Sequence, residues 1–214
     1  MALLSCVCVR RSLVLAFLLA ALLPPAFGRV ASVRPLVAQA RPVQAQAQAP
    51  TDSALEYQVK AAYLLNFTRY VEWPSNVWQA PAAPLVLCVV GVNPFGVMLD
   101  ATVRGRKSQG RSIEVRRVTA KADVKGCHLV FIGRAEARRQ PDILKEISGP
   151  GILTVGEGEP FAEAGGVIAF VIEDQSVRFA VNLDAAEQAK LRMSSHMLAL
   201  ASRLYGDPKS AGEP

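Results

Sequence analysis

Three short apolar runs, each about the length of a β-strand, constrain the fold of this 214-residue chain more than any other feature. Continuous runs of this kind are typical of strands buried on both faces of a parallel sheet. They are LVLCVVG (85–91), CHLVFIG (127–133) and GILTVGE (151–157). SIEVRRV (112–118) alternates like a half-exposed strand, and VIAFVIEDQSVRFAVNL (167–183) predicts a hairpin. Together with the helical segments between them, these runs predict a single α/β domain with helices on both faces of the sheet. We expect a largely parallel sheet of about six strands with an antiparallel C-terminal hairpin.

The first predicted helix has clear start and stop signals. Ser53 followed by Glu56 forms a capping box, and Pro74 prevents the helix from continuing far beyond Tyr70. We expect Val59, Ala62 and part of the pair 64–65 to pack on the sheet.

Three later segments also have helical character. After the first buried strand, Asn93 is the predicted N-cap of a helix with Pro94 at its first position. Residues 134–147 are predicted to be helical. So is 184–205, with a break at 191–194 where either Ser194 or Ser195 caps a new helix.

The N-terminal part of the chain predicts export. Arg10 and Arg11 precede an apolar run and small residues, so 1–28 is predicted to be a signal peptide, with cleavage as late as residue 40 left open. An uncleaved membrane anchor is the competing interpretation, but the apolar run is short for a span of about 20 residues. Residues 29–52 are rich in Ala, Gln and Pro and are predicted to be a flexible tether. The folded domain is predicted over 53–205 and a disordered tail over 206–214.

The net charge of +6 belongs mostly to this N-terminal part. Residues 1–49 hold five arginines and no acidic residue, leaving 19 basic and 18 acidic residues in the rest of the chain. The folded domain is therefore almost neutral, and nucleic-acid binding is not predicted.

No catalytic or metal site is predicted. After the leader, the chain has only two histidines, His128 and His196, and no CxxC or HxxxH spacing that would hold zinc. A nucleophile elbow is also missing. Glu157 and Glu159 follow the third buried strand, but their Gly- and Pro-rich surroundings indicate a solvated loop. We therefore predict no enzyme activity and no cofactor.

Cys88 and Cys127 each lie on or beside an apolar strand. In an oxidising compartment such a pair is a candidate disulfide, while two buried free thiols are the alternative.

Two sets of residues are candidates for binding. Aromatic and methionine side chains are typical interface anchors, which makes the first set a candidate partner or dimer interface, unless the helix simply packs across the sheet. It comprises Tyr63, Phe67, Tyr70, Trp73, Met193 and Met197. The second set is a weaker candidate for an anionic ligand, at a helix N-terminus and on basic segments. It comprises Asn93, Arg104, Arg106, Lys107 and Arg178.

Five blocks of the sequence lie within about residues 55–203: VKAAYLLNFTRYVEWP, LCVVGVNPFG, GCHLVFIG, ILTVGE and GGVIAFVIEDQSVRFAVNLDAAEQAKLRMSSHMLALA. In content and in order, these blocks resemble the YfiR family of periplasmic proteins. The resemblance implies an exported α/β regulator without catalytic activity that tends to form homodimers. It also implies repression of an inner-membrane diguanylate cyclase, through its periplasmic sensory part, which lowers cyclic di-GMP and favours motility over biofilm.

The resemblance bears on the cysteines and on the partners as well. Family members carry cysteines at the positions of Cys88 and Cys127, which supports a redox-sensitive bridge, whereas the second cysteine pair of some members has no counterpart here. Related domains are fused to sensor kinases, so a sensor kinase is an alternative partner, and an outer-membrane lipoprotein is a further one. The alternative function is a periplasmic module that binds a small molecule or an envelope component.

Overall fold

The computed structural model describes residues 52–119 and 124–206. The predicted leader, nearly all of the predicted tether, and 207–214 of the predicted tail lie outside these ranges. The strands of the described part are β1 (Val71–Glu72), β2 (Leu85–Val90), β3 (Lys107–Ser108), β4 (Arg111–Val118), β5 (Leu129–Ile132), β6 (Leu153–Glu157), β7 (Ile168–Glu173), β8 (Ser176–Asn182), β9 (Arg192–Met193) and β10 (Arg203–Tyr205).

The helices are mostly short, apart from the first. They are α1 (Asp52–Tyr70), α2 (Met98–Val103), α3 (Gln140–Ile147), α4 (Glu159–Glu163), α5 (Leu183–Gln188) and α6 (Ser195–Leu200), with 3-10 turns at Ser75–Val77 and Arg134–Arg139. Within the two described ranges, none of them is long and apolar enough to cross a membrane.

Eight strands form one sheet in the order β10-β8-β7-β6-β5-β2-β4-β3. Strands β4, β2, β5, β6 and β7 are parallel to their neighbours in that order, and β8 returns antiparallel to β7 as the second strand of the hairpin. The predicted α/β class, parallel sheet and C-terminal hairpin are therefore confirmed. The short edge strands β3 and β10 and the separate pair β1–β9 were not predicted, because two or three residues carry no periodic signal.

Side chains of the central strands alternate between two cores, one on each face of the sheet. Leu85, Leu87 and Val89 of β2 point into the core beneath α1, while Val86 and Cys88 point into the core beneath α3 and α4. Both faces are covered by helices, which explains why the central strands are apolar throughout.

Helix α1 packs on the sheet with a different face from the predicted one. Val59 and Ala62 are exposed, so their predicted packing was wrong, whereas Leu64 and Leu65 are buried as expected. The buried face is centred on a lysine, Lys60. A sequence pattern that places every lysine in the solvent therefore predicts the wrong rotation of α1 about its own axis.

Helix boundaries differ from the predictions where local capping favours a turn. Helix α2 begins at Met98, because the Asn93 side chain accepts a hydrogen bond from the Phe95 amide and donates one to the Gly96 carbonyl, which closes a turn before the helix. The C-terminal segment does break near 191–194. There the Ser194 hydroxyl accepts from the Met197 amide and caps α6.

Candidate functional site

A buried ion-pair network joins α1 to the carboxyl ends of the central strands β5 and β6. We call it the Lys60 cluster, formed by Tyr57, Lys60, Glu56, Arg134 and Glu157. The Lys60 ammonium donates to the carboxylates of Glu56 and Glu157, and the side chains of Lys60 and Glu157 are only 1% and 6% exposed. A lysine so deeply buried is rare unless its charge is paired.

The Lys60 cluster has two further donors to Glu157. The Tyr57 hydroxyl lies 3.3 Å from both carboxylate oxygens, and burial, followed by the charge of Glu157, raises the pKa of Tyr57 from 10.0 to about 12. Tyr57 thus remains a phenol donor. The Arg134 amide donates to Glu157 Oε2 at 2.5 Å, and its guanidinium group binds Glu56 and, at 3.4 Å, Glu157 Oε1. Glu157 is therefore a buried, fully engaged carboxylate, and its prediction as part of a solvated loop was wrong.

The position and the charges of the Lys60 cluster indicate what it does. It lies at the carboxyl ends of parallel strands, where α/β sheets commonly bind ligands. Its two cations and two anions balance, so it holds α1 in place without a net charge. Arg134 alone among the charged members is largely exposed, which leaves one guanidinium group accessible at the surface.

A groove lies beside the Lys60 cluster, between the first half of α1 and the β7–β8 hairpin. This α1 groove has a volume of about 730 Å³ and carries exposed apolar side chains on both walls: Leu55 (45% exposed) and Val59 (43%) from the helix, and Ile172 (53%) from the hairpin. Arg134 and Ile172 also line a smaller cleft of about 380 Å³ that reaches Lys60. Exposed apolar side chains gathered beside a charged group are typical of a protein-binding surface.

The predicted aromatic interface is mostly part of the core. Phe67 packs between Phe170 and Phe179, with ring centroids 5.7 and 5.2 Å away. Trp73, Met193 and Met197 are also buried, and Tyr63 is half-buried with its hydroxyl directed at the Val177 carbonyl. Tyr70 alone of the six is exposed, next to His196. These four buried side chains belong to the core, so they are not accessible to a partner in the folded domain.

Cys88 and Cys127 are joined by a disulfide. Their Cα atoms are 5.9 Å apart, and both residues are buried in the core beneath α3 and α4. The bridge ties β2 to the segment that leads into β5.

The predicted anion-binding residues do not converge on one site. Arg104, Arg106 and Lys107 lie at the β3 end of the sheet, whereas Arg178 lies on β8, near the other end. Asn93 is engaged in its own turn. Within 52–119 and 124–206, no three His, Cys, Asp or Glu side chains come together as a metal site.

Sequence reasoning missed the Lys60 cluster and the α1 groove. In the sequence, Glu56 fits a capping box with Ser53, whereas in the structure its carboxylate binds Lys60, four residues later, and Arg134. The sequence did contain one signal for the Lys60 cluster. Glu56 and Lys60 are four residues apart, so their side chains meet on one face of the helix. Because the neighbouring positions are apolar, this ion pair lies against the core.

Comparisons with known proteins give a family and two distant solved structures. A family model described as YfiR/HmsC-like matches residues 57–202. One solved structure is a conserved domain protein from Vibrio cholerae O1 biovar El Tor, 13% identical over 56% of this chain, with a TM-score of 0.41. Another is the ABC domain in complex with L-Trp from Streptococcus pneumonia, 9% identical over 70% of this chain, with a TM-score of 0.46. The matches span 54% and 60% of those two chains.

Proposed function

Because this chain belongs to the YfiR/HmsC-like family of periplasmic regulators, we propose that it binds the periplasmic sensory part of an inner-membrane diguanylate cyclase and represses the enzyme. Repression lowers cyclic di-GMP and so favours motility over biofilm. In this proposal the chain acts by binding and performs no catalysis itself. Homodimer formation, a sensor kinase as an alternative partner, and an outer-membrane lipoprotein as a further one belong to the same proposal.

The α1 groove is the observation that carries the proposal. Leu55, Val59 and Ile172 are large apolar side chains that remain in water in the folded domain, and covering them with a partner is favourable by about 25 cal/mol for each Å² of apolar area. Arg134, which lines the groove, supplies a charged hydrogen-bond donor, a residue type that is enriched at interfaces. Apolar contact combined with one fixed charge gives both affinity and orientation.

The test is a measurement of cyclic di-GMP in cells that lack this chain. We expect deletion to raise cyclic di-GMP, and expression of the intact chain to restore the original level. In a strain that also lacks the partner cyclase, deletion should have no effect, since there is then nothing to repress. Unchanged cyclic di-GMP in the single deletion would contradict the proposal.

A second candidate function is the binding of a small anionic metabolite or an envelope component. It is supported by the smaller cleft, where Lys60, Arg134 and the Phe170 ring meet at the carboxyl ends of the strands. Thermal-shift measurements on the exported chain with anionic metabolites and cell-wall fragments test it. A stabilising ligand that leaves partner binding unchanged would favour this candidate over repression.

A further inference from the structure

Strand β4 has an open edge along most of its length. On one side it pairs with β2 from Ile113 to Val118, in an unbroken parallel register. On the other side β3 covers only Arg111 and Ser112. Among the described residues, no strand pairs with 113–118 on that side, so its outward backbone groups are available to another chain.

The side chains along this edge alternate in a way that suits an additional strand. Ile113 and Val115 are half-buried against the core beneath α1, whereas Glu114, Arg116 and Arg117 are exposed. A strand added beside β4 would cover the remaining exposed area of Ile113 and Val115. It would also place its own side chains next to the arginines.

The open edge carries a strong positive charge. The segment 100–117 contains six basic residues against two acidic ones, whereas the remainder of the chain from residue 50 onward holds 13 basic and 16 acidic residues. Arg117 is paired with Asp100, and the Arg111 guanidinium stacks on the Trp78 ring at 3.9 Å. Arg104, Arg106 and Lys107 are exposed and form no ion pair with another described residue.

The positive charge of this edge determines which kind of chain can pair with β4. Two copies of this chain would bring the two basic segments together, and like charges across a strand pair are unfavourable. Charged side chains on an edge strand are also a common protection against such self-pairing. The same charges attract an acidic chain, and a chain in extended conformation can pair with the outward backbone groups of 113–118 in place of water.

We propose that the β4 edge binds an extended acidic segment of another protein by strand addition. The segment pairs with 113–118 through backbone hydrogen bonds, and its carboxylates lie against Lys107, Arg116 and the neighbouring arginines. This surface is at the opposite end of the sheet from the β7–β8 hairpin, so the segment and a partner in the α1 groove bind independently.

The test uses a fluorescein-labelled blocked peptide of alternating Glu and Val residues and the intact chain purified after export. Fluorescence anisotropy should show binding of this peptide. A peptide with Lys in place of Glu should not bind, and neither should the Glu peptide with alternate backbone amides N-methylated, because it keeps the charge but lacks the strand donors. Hydrogen exchange should slow within 113–118 when the Glu peptide is bound.

Charge-reversal variants give a matched comparison. Combining Lys107→Glu with Arg116→Glu should weaken binding of the Glu peptide by about tenfold or more, while Arg178→Glu, at the other end of the sheet, should leave it within about twofold. Absence of binding by the Glu peptide would overturn the proposal. Equal binding of the N-methylated peptide would overturn it too, since the attraction would then be electrostatic without strand addition.

Discussion

Lys60 occupies the middle of the buried face of α1, where its ammonium group has lost nearly all contact with water. Removing a charge from water is costly unless it is paired, and Glu157 and Glu56 supply the pairing. The Lys60–Glu157 ion pair adds little net stability, because both charges lose their hydration when they are buried. Removing one partner is costly, because the other charge stays buried without it.

We expect Glu157→Gln to lower the free energy of unfolding by about 3–5 kcal/mol, because Lys60 then keeps only the more exposed Glu56 as an ionic partner inside the cluster. The double replacement Lys60→Met with Glu157→Leu should recover much of this loss. Urea denaturation measures both. Asp100→Asn, which breaks the exposed pair with Arg117, is the control and should cost less than about 1 kcal/mol. Equal effects of Glu157→Gln and Asp100→Asn would contradict the structural role of the Lys60 cluster.

His128 is a second buried polar residue with a defined protonation state. Its Nδ1 accepts a hydrogen bond from the Val86 amide at 3.0 Å, which requires that nitrogen to be unprotonated, and its ring stacks on Trp78 at 4.4 Å. Burial, and after it the charges of Arg111 and Arg116, lower the pKa of His128 below that of an exposed histidine.

This lowered pKa predicts a loss of stability in mild acid. At pH values more than about one unit above 6.5, His128 is unprotonated in both the folded and the unfolded chain, so it contributes no pH dependence. Below that pH the unfolded chain binds a proton first, and the free energy of unfolding falls until the lower native pKa is passed. Denaturation at pH 7.5 and pH 5 measures the slope. His128→Asn, which retains an acceptor for Val86, should reduce the slope.

Individual side chains were the hardest features to predict from the sequence. The buried state of Lys60 and Glu157 depends on two elements far apart in the chain meeting at one place, and no local pattern contains that information. The Cys88–Cys127 pair was easier, since both residues lie at the start of or within apolar strands and the family resemblance aligned them.

Helix α1 is the element in which core and surface are easiest to confuse. Its aromatic residues were candidates for an interface, but Phe67 fills the space between Phe170 and Phe179, while Tyr70 contacts His196 at the surface. A helix of mostly apolar residues has a wide apolar arc, so the sequence alone does not show which side meets the sheet.

Two alanine substitutions in α1 test which of its aromatic side chains are packed in the core. Phe67→Ala should lower the free energy of unfolding by about 3–5 kcal/mol, because it leaves a cavity in a close-packed cluster of rings. Tyr70→Ala, in the same helix, should cost less than about 1 kcal/mol, because its side chain is already in contact with water. Thermal denaturation followed by circular dichroism is the measurement. A small effect of Phe67→Ala would mean that this face of α1 is not packed on the sheet.

The disulfide connects β2 with the segment that leads into β5, across a sequence separation of 39 residues. Closing a loop of this length restricts the unfolded chain and should stabilise the domain by about 2–4 kcal/mol. Intact mass before and after reductive alkylation should show one bridge in the exported protein, and reduction should lower its denaturation midpoint. Two thiols that alkylate without reduction would contradict this expectation.

Strands were predicted better than helix boundaries for a physical reason. A strand buried on both faces must be apolar throughout, so β2, β5 and β6 are visible as continuous runs. The start of α2 depends instead on the side chain of Asn93, which closes a turn and delays the helix to Met98. The two-residue strands β1 and β9 exist only because they pair with each other over a long sequence separation.

At the scale of the whole molecule, the two proposed binding surfaces lie toward opposite ends of the sheet. The α1 groove lies beside the β7–β8 hairpin, and the basic open edge lies at β4 near the other end of the strand order. The fold class was predictable because it follows from the number and type of strands. The binding surfaces were not, because they depend on which apolar residues remain uncovered after the domain has folded.

Binding between the purified exported chain and the periplasmic part of the cyclase is the most direct test of the proposed function. Isothermal titration calorimetry should detect a complex with the unaltered chain, and Val59→Asp in the α1 groove should weaken it by about tenfold or more. Val97→Asp is the matched control, because Val97 is 83% exposed and lies outside the groove; it should bind like the unaltered chain. Absence of a complex, or equal binding by the two aspartate variants, would contradict repression through the α1 groove.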